Sequence, residues 1–151
     1  MIKITSPLKG EFIKLENLGD PAFSQGMLGE GAGVLPSEGK VYSPFDGVVN
    51  TIFPTKHAIA LTSDDGVKMI IHIGIDTVNM KGKGFKSKLD NGDKVKAGQL
   101  LMEFDIKKIQ KAGYSIETPV IVTNMKDFAG LKISEKAELD TSDIIFEIEP
   151  K

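Results

Sequence analysis

Glycine and proline break this chain into short segments, with 16 glycines and seven prolines among 151 residues. Most segments between them suit strands of four to seven residues rather than long helices. Seven such segments are rich in β-branched or aromatic residues and bounded by turn formers. They are Glu11–Leu15, Gly47–Phe53, His57–Leu61, Val67–Ile73, Gln99–Phe104, Pro119–Thr123 and Ile144–Ile148. One helix is expected over Asp105–Gly113, with Asp105 as N-cap, apolar Ile106 and Ile109, and a stop at Gly113. Asn124–Gly130 suits a further single turn. The expected fold is all-β: an antiparallel β-sandwich or partly closed barrel with one or two very short helices.

The length fits one domain, residues 1–151, with enough chain for its own core. The glycine-rich stretch Gly29-Glu30-Gly31-Ala32-Gly33 is expected to form a loop inside that domain, not a linker. No apolar run approaches the ~20 residues of a membrane-spanning helix. Met1–Pro7 lacks the apolar core of a secretory signal, so the cytoplasm is the expected compartment. A net charge of −2 disfavours a general nucleic-acid surface. Cysteine is absent, which excludes disulfides, thiolate metal sites and a cysteine nucleophile. All 19 basic residues are Lys, so no guanidinium fork is available to hold phosphate.

Only two histidines occur, His57 and His72. They bracket an expected β-hairpin with the Asp65-Gly66 turn signal between them. A four-residue loop over Ser63–Gly66 sets His57 opposite His72. A two-residue Asp65-Gly66 loop sets His57 opposite Gly74 and His72 opposite Ile59. Either even-length loop leaves both rings on one face, because side chains alternate with period two. An odd-length loop places them on opposite faces. A lone histidine beside an apolar run is ordinarily structural. Two on one face of one hairpin make a functional pair an equal alternative.

Three chemistries suit such a pair. A metal site needs a third ligand, for which Asp76 and Asp46 are the candidates, yet His-Glu-x-x-His and His-x-His are absent. A Ser-His-Asp hydrolase lacks its Gly-x-Ser-x-Gly elbow. Histidine nucleophilic catalysis on phosphorus needs no Arg, Cys or metal. It requires a neutral ring whose second nitrogen donates to a fixed acceptor, and Gly74 offers a flexible backbone two residues past His72. The second imidazole then donates to the phosphoryl oxygens.

The stretch His72-Ile73-Gly74-Ile75-Asp76-Thr77-Val78, followed by Lys81-Gly82-Lys83-Gly84-Phe85, resembles a known active-site signature. It is that of the glucose-type enzyme IIA of the bacterial phosphoenolpyruvate–sugar phosphotransferase system. Thr55-Lys56-His57-Ala58 resembles that family's second-histidine segment, and Asp20–Phe23, Gly29–Gly31, Pro44–Gly47, Gly92–Val95 and Pro119–Met125 follow in matching order. The resemblance implies a β-sandwich with a shallow apolar active face. It implies that His72 takes a phosphoryl group on Nε2 from the phosphorylated histidine-containing phosphocarrier protein. The group then passes to a cysteine of an enzyme IIB domain that phosphorylates the incoming sugar. His57 would hold the phosphoryl oxygens, Thr55 would orient an imidazole, and the Gly74 carbonyl would accept from His72 Nδ1. Phe23, Met27, Leu28, Phe53 and Val78 fall where the family has an apolar docking ring. Asp20 and Asp76 match acidic positions that meet basic partner side chains. No cofactor, no metal and no membrane insertion are implied, and a monomer is expected.

The same residues have plainer explanations: apolar core for the ring positions, turns for Asp20 and Asp76, a strand or cap contact for Thr55, and a solvated face for the Lys81–Lys88 run. Ala60 and Ile70 depart from the family by standing where some members have Phe. Three other functions are kept as alternatives. They are a zinc hydrolase, a regulatory module using the apolar face without phosphoryl transfer, and a carrier module. The last is suggested by the likeness between Ser43–Val49 and Asn91–Leu101, which resemble the two halves of a biotinyl or lipoyl domain. Against it, the Asp64–Lys68 tip lacks the lysine motif such carriers modify.

Overall fold

The computed structural model describes all of residues 1–151. Fourteen strands run in order β1 (Ile2–Thr5), β2 (Gly10–Lys14), β3 (Glu30–Pro36), β4 (Lys40–Tyr42), β5 (Gly47–Ile52), β6 (Ala58–Ser63) and β7 (Lys68–His72), then β8 (Phe85–Ser87), β9 (Lys94–Val95), β10 (Leu100–Phe104), β11 (Thr118–Val122), β12 (Phe128–Ile133), β13 (Glu138–Leu139) and β14 (Ile144–Pro150). Two short helices interrupt them, α1 (Pro21–Ser24) and α2 (Ile106–Lys111). All pairings are antiparallel. One sheet of eight strands runs β13-β2-β3-β11-β7-β6-β5-β9, and two of three strands run β1-β14-β12 and β4-β10-β8. The sheets stay open, so the fold is a sandwich and not a partly closed barrel.

Period-two alternation places the core. Ile59 and Leu61 of β6, Met69 and Ile71 of β7, and Val120 and Val122 of β11 turn inward. They pack with Ile4, Phe146 and Ile148 from one small sheet and Phe85, Leu101, Met102 and Phe104 near the other. The alternate residues face outward. There Ala60 stands opposite Ile70, Ile70 opposite Ile121, and Ile121 opposite Gly31.

All seven expected strands form, with ends displaced by one or two residues. Helix α2 forms as expected, with the Asp105 carboxylate accepting from Lys108 N–H. A single 3-10 turn occupies Met125–Asp127 within the expected Asn124–Gly130 turn. The Gly29–Gly33 loop does not form: Glu30–Pro36 is β3, in the interior of the large sheet. Its glycines serve packing. A Cβ on Gly31 would collide with the Val120 carbonyl oxygen, and one on Gly33 would meet the Leu18 side chain. Helix α1 was not anticipated, although Asp20-Pro21 carries its signal. Asp20 accepts from Ala22 N–H at 2.9 Å, and Pro21 fills the first helical position.

Candidate active site

His72 closes β7, and His57 lies immediately before β6. Their ring centroids are 4.9 Å apart and nearly perpendicular. The even-loop registers that suggested this meeting do not occur. Ser63 N–H donates to the Val67 carbonyl, leaving the three-residue turn Asp64-Asp65-Gly66 with Gly66 left-handed at φ 88°. Left-handed glycine at the third position is what a three-residue hairpin loop selects. Ala58 therefore pairs with His72. Ile73 N–H donates to the His57 carbonyl at 2.6 Å, one step further along the hairpin. In a regular pleat the two rings would point to opposite faces. They meet because His57 is outside the pleat. The turn over Phe53–Lys56, with Lys56 left-handed at φ 58°, delivers it to the end of β7.

Each imidazole is held through Nδ1. His72 Nδ1–H donates to the Gly74 carbonyl at 2.7 Å. A carbonyl only accepts, so the neutral ring carries its proton on Nδ1 and leaves a lone pair on Nε2. His57 Nδ1 lies 2.5 Å from Thr55 Oγ1. With the Thr55 hydroxyl donating to Nδ1, the ring proton of His57 sits on Nε2. Burial, reinforced by the neighbouring His72, lowers the His57 pKa to about 4. Burial also lowers the His72 pKa, while the Gly74 carbonyl, Asp20 and Asp76 push it back upward. Both rings are thus neutral near pH 7.

Aromatic rings flank the pair. Phe23 lies 5.0 Å from the His72 ring, and Phe53 lies 5.6 Å from His57, edge to face. Phe23 is only 5% exposed, packed with Leu18, Ile75 and Ile121 in a small apolar cluster on this outer face. Helix α1 presents it there, and the Asp20 cap fixes the start of that helix. Asp20 thus caps a helix while its charge also reaches His72. Asp76 is exposed and left-handed, φ 61°, at the entry to a 3-10 turn over Thr77–Met80. Met27, Leu28 and Val78 are 74%, 46% and 47% exposed. These are large apolar side chains left in water, in segments that immediately follow α1 and the His72–Asp76 loop. The row Gly31, Ile121, Ile70 and Ala60 is also part of this face. Side-chain parity along β3, β11, β7 and β6 was the signal that could have grouped it from sequence.

No three His, Asp or Glu side chains are grouped to hold an ion. Asp46, one proposed third ligand, is at the other end of the hairpin, where its carboxylate accepts from Ala97 N–H and its carbonyl from Asp64 N–H. The two similar segments around Asp46 and Asp93 pair with each other through Gly47–Val95 and Val48–Lys94, as β5 and β9.

The structure is an antiparallel sandwich with two adjacent neutral histidines, their rings nearly perpendicular, on an apolar outer face. Residues 2–128 match the model of the phosphoenolpyruvate-dependent sugar phosphotransferase system EIIA 1 family, and the chain belongs to it. It is 44% identical over 134 residues to the glucose-specific EIIA component of Staphylococcus epidermidis, covering 89% of this chain and 81% of that one. It is 46% identical over 146 residues to the β-glucoside-specific EIIBCA component of Halalkalibacterium halodurans, covering 97% of this chain but 23% of that protein. Among solved structures, glucose permease IIA from Mycoplasma capricolum superposes with a TM-score of 0.88 at 34% identity, covering 96% of this chain and 94% of that one.

Proposed function

We propose that the chain relays a phosphoryl group through His72. The donor is the phosphorylated histidine-containing phosphocarrier protein, and the acceptor is a cysteine of an enzyme IIB domain. The observation that carries this reading is the His72 Nδ1–Gly74 hydrogen bond. It fixes the tautomer with the nucleophilic lone pair on Nε2, beside a second neutral imidazole.

In the first step the Nε2 lone pair forms a bond to phosphorus. The donor's N–P bond breaks, and its electron pair returns to the donor imidazole. The His72 ring gains positive charge as it becomes phosphorylated. The Gly74 carbonyl and the nearby Asp20 and Asp76 carboxylates stabilise that charge, the same influence that raises the pKa of the free ring. His57, with Nδ1 accepting from the Thr55 hydroxyl and its proton on Nε2, donates to a phosphoryl oxygen. In the second step the IIB thiolate takes the phosphoryl group and the electron pair returns to His72 Nε2. Burial among apolar side chains limits water near the P–N bond.

Docking falls to the apolar face. Met27, Leu28 and Val78 supply the exposed apolar area, Phe23 and Phe53 support the rings from behind, and Asp20 and Asp76 meet basic partner side chains. The Halalkalibacterium relative is named an EIIBCA component, which supports a IIB partner. The cytoplasm is the compartment proposed for this chain.

The test is intact mass after incubation with phosphoenolpyruvate, enzyme I and the phosphocarrier protein. The wild type should gain one phosphate that is lost in acid and kept in base. His72→Ala should gain none. A phosphate that persists in His72→Ala would remove His72 as the acceptor. A wild type that gains none would favour a regulatory module on the same face.

A further inference from the structure

We propose that Thr77 is a positioning residue that aims the Gly74 carbonyl at His72. This rests on the phosphoryl-relay reading for its consequence in catalysis, but not for its geometry. Thr77 is fully buried, although it follows an exposed aspartate in a surface turn. Its hydroxyl donates back to the Ile73 carbonyl, four residues earlier. Its methyl group lies against Gly74: a Cβ built on Gly74 would sit 2.5 Å from Thr77 Cγ2 and 3.3 Å from Thr77 Oγ1.

The two peptide groups on either side of the Gly74 Cα are therefore gripped. The Ile73–Gly74 peptide is held through its carbonyl by Thr77. The Gly74–Ile75 peptide is held through its N–H, which Ile75 donates to the Ser115 carbonyl at 3.1 Å. The carbonyl of that second peptide is the one that accepts from His72 Nδ1. With both ends fixed, the Gly74 φ of 77° is set, and the carbonyl is aimed before any ligand arrives. A left-handed Asp76, φ 61°, lets the chain return so that Thr77 can reach Ile73. A threonine supplies both halves of the grip, a hydroxyl for Ile73 and a methyl for the space over Gly74. The hydroxyl is the half that acts on His72, because it holds the carbonyl adjoining the hinge.

The experiment reads the His72 tautomer directly by imidazole 15N–1H correlation spectra of the unphosphorylated protein, with no donor present. Wild type is expected to show the proton on Nδ1. Thr77→Val keeps the shape and removes the hydroxyl. It is expected to populate the Nε2–H tautomer of His72 and to slow phosphoryl uptake about tenfold, the low end of the loss seen when contacts that orient metal-bound histidines are removed. Thr77→Ser keeps the hydroxyl and is expected to restore both tautomer and rate.

Thr77→Val with an unchanged tautomer would overturn the proposal. So would a Thr77→Ser protein that loses the Nδ1–H tautomer while Thr77→Val keeps it, since packing alone would then explain the residue. If Thr77→Val does not fold, Thr77→Ala takes its place: a His72 that keeps Nδ1–H in Thr77→Ala overturns the proposal, and one that populates Nε2–H there but not in Thr77→Ser upholds it. The spectra judge the positioning role, and phosphate uptake by the wild type judges the relay, so the two fail separately.

Discussion

His57 and His72 are held through the same ring atom by opposite kinds of partner. A carbonyl fixes His72 as an Nδ1 donor, whereas a hydroxyl is free to donate to His57. The two rings thus differ at the nitrogen left free: His72 keeps a lone pair on Nε2, and His57, where it accepts from Thr55, carries its proton there. His57→Ala should therefore still take one phosphate from the phosphocarrier but pass it to IIB roughly 100-fold more slowly, the scale of losing one transition-state donor. Stopped transfer assays with purified IIB measure this. Full onward transfer would remove the role assigned to His57. The electrostatics give a second check. Burial and the adjacent imidazole hold His57 near pKa 4, so its ring signals should stay at their neutral positions from pH 8 to about 5 and move only below that. An NMR titration midpoint near 6.5 would mean that the ring is hydrated.

The strand-rich elements owe their form to glycine in two distinct ways. In β3, Gly31 sits where a side chain would run into the backbone of β11, so the constraint is spatial. At Gly66 nothing lies within 4 Å of a built Cβ, and the constraint is the φ of 88° alone. Gly31→Ala should cost about 3 kcal/mol, at the upper end of overpacking penalties. Gly66→Ala should cost about 1–2 kcal/mol, the penalty of a left-handed alanine. Urea unfolding of the two variants compares them, and equal losses would contradict the spatial argument for β3. The same distinction explains why Gly29–Gly33 looks like a loop in the sequence. Glycine density signals turns when flexibility is the reason for it, and here close strand approach is the reason. Helix α2 was legible because its cap, apolar spacing and terminal glycine are all local. Helix α1 carries a cap and proline, but at four residues it has no periodicity to read.

At the scale of the whole molecule, burying two neutral histidines links stability to pH. In the unfolded chain both rings protonate near 6.5, whereas in the folded protein His57 does so only near 4 and His72 also below its ordinary value. Between these limits the unfolded state binds more protons, so unfolding free energy falls as pH drops from about 6.5 to 5 and is level above 7. Urea titrations at pH 7, 6 and 5 measure the slope, and His57→Gln should make it shallower. An unchanged slope would place its source elsewhere.

The sequence by itself determined the β class, the positions of seven strands, the capped helix α2 and the identity of the two imidazoles. Each of these rests on short-range alternation, capping or turn chemistry. The resemblance carried by His72–Val78 and Thr55–Ala58 also pointed to the family to which the chain belongs. Only the tertiary structure decided how the histidines meet. Pairing register depends on a one-residue difference in loop length, and that difference reverses every face it touches. The three-residue turn reversed the expected alignment, yet the rings stand 4.9 Å apart, with His57 outside β6 and next to the left-handed Lys56. The burial of Phe23 was likewise settled in three dimensions, because it depends on Ile121, far from it in sequence.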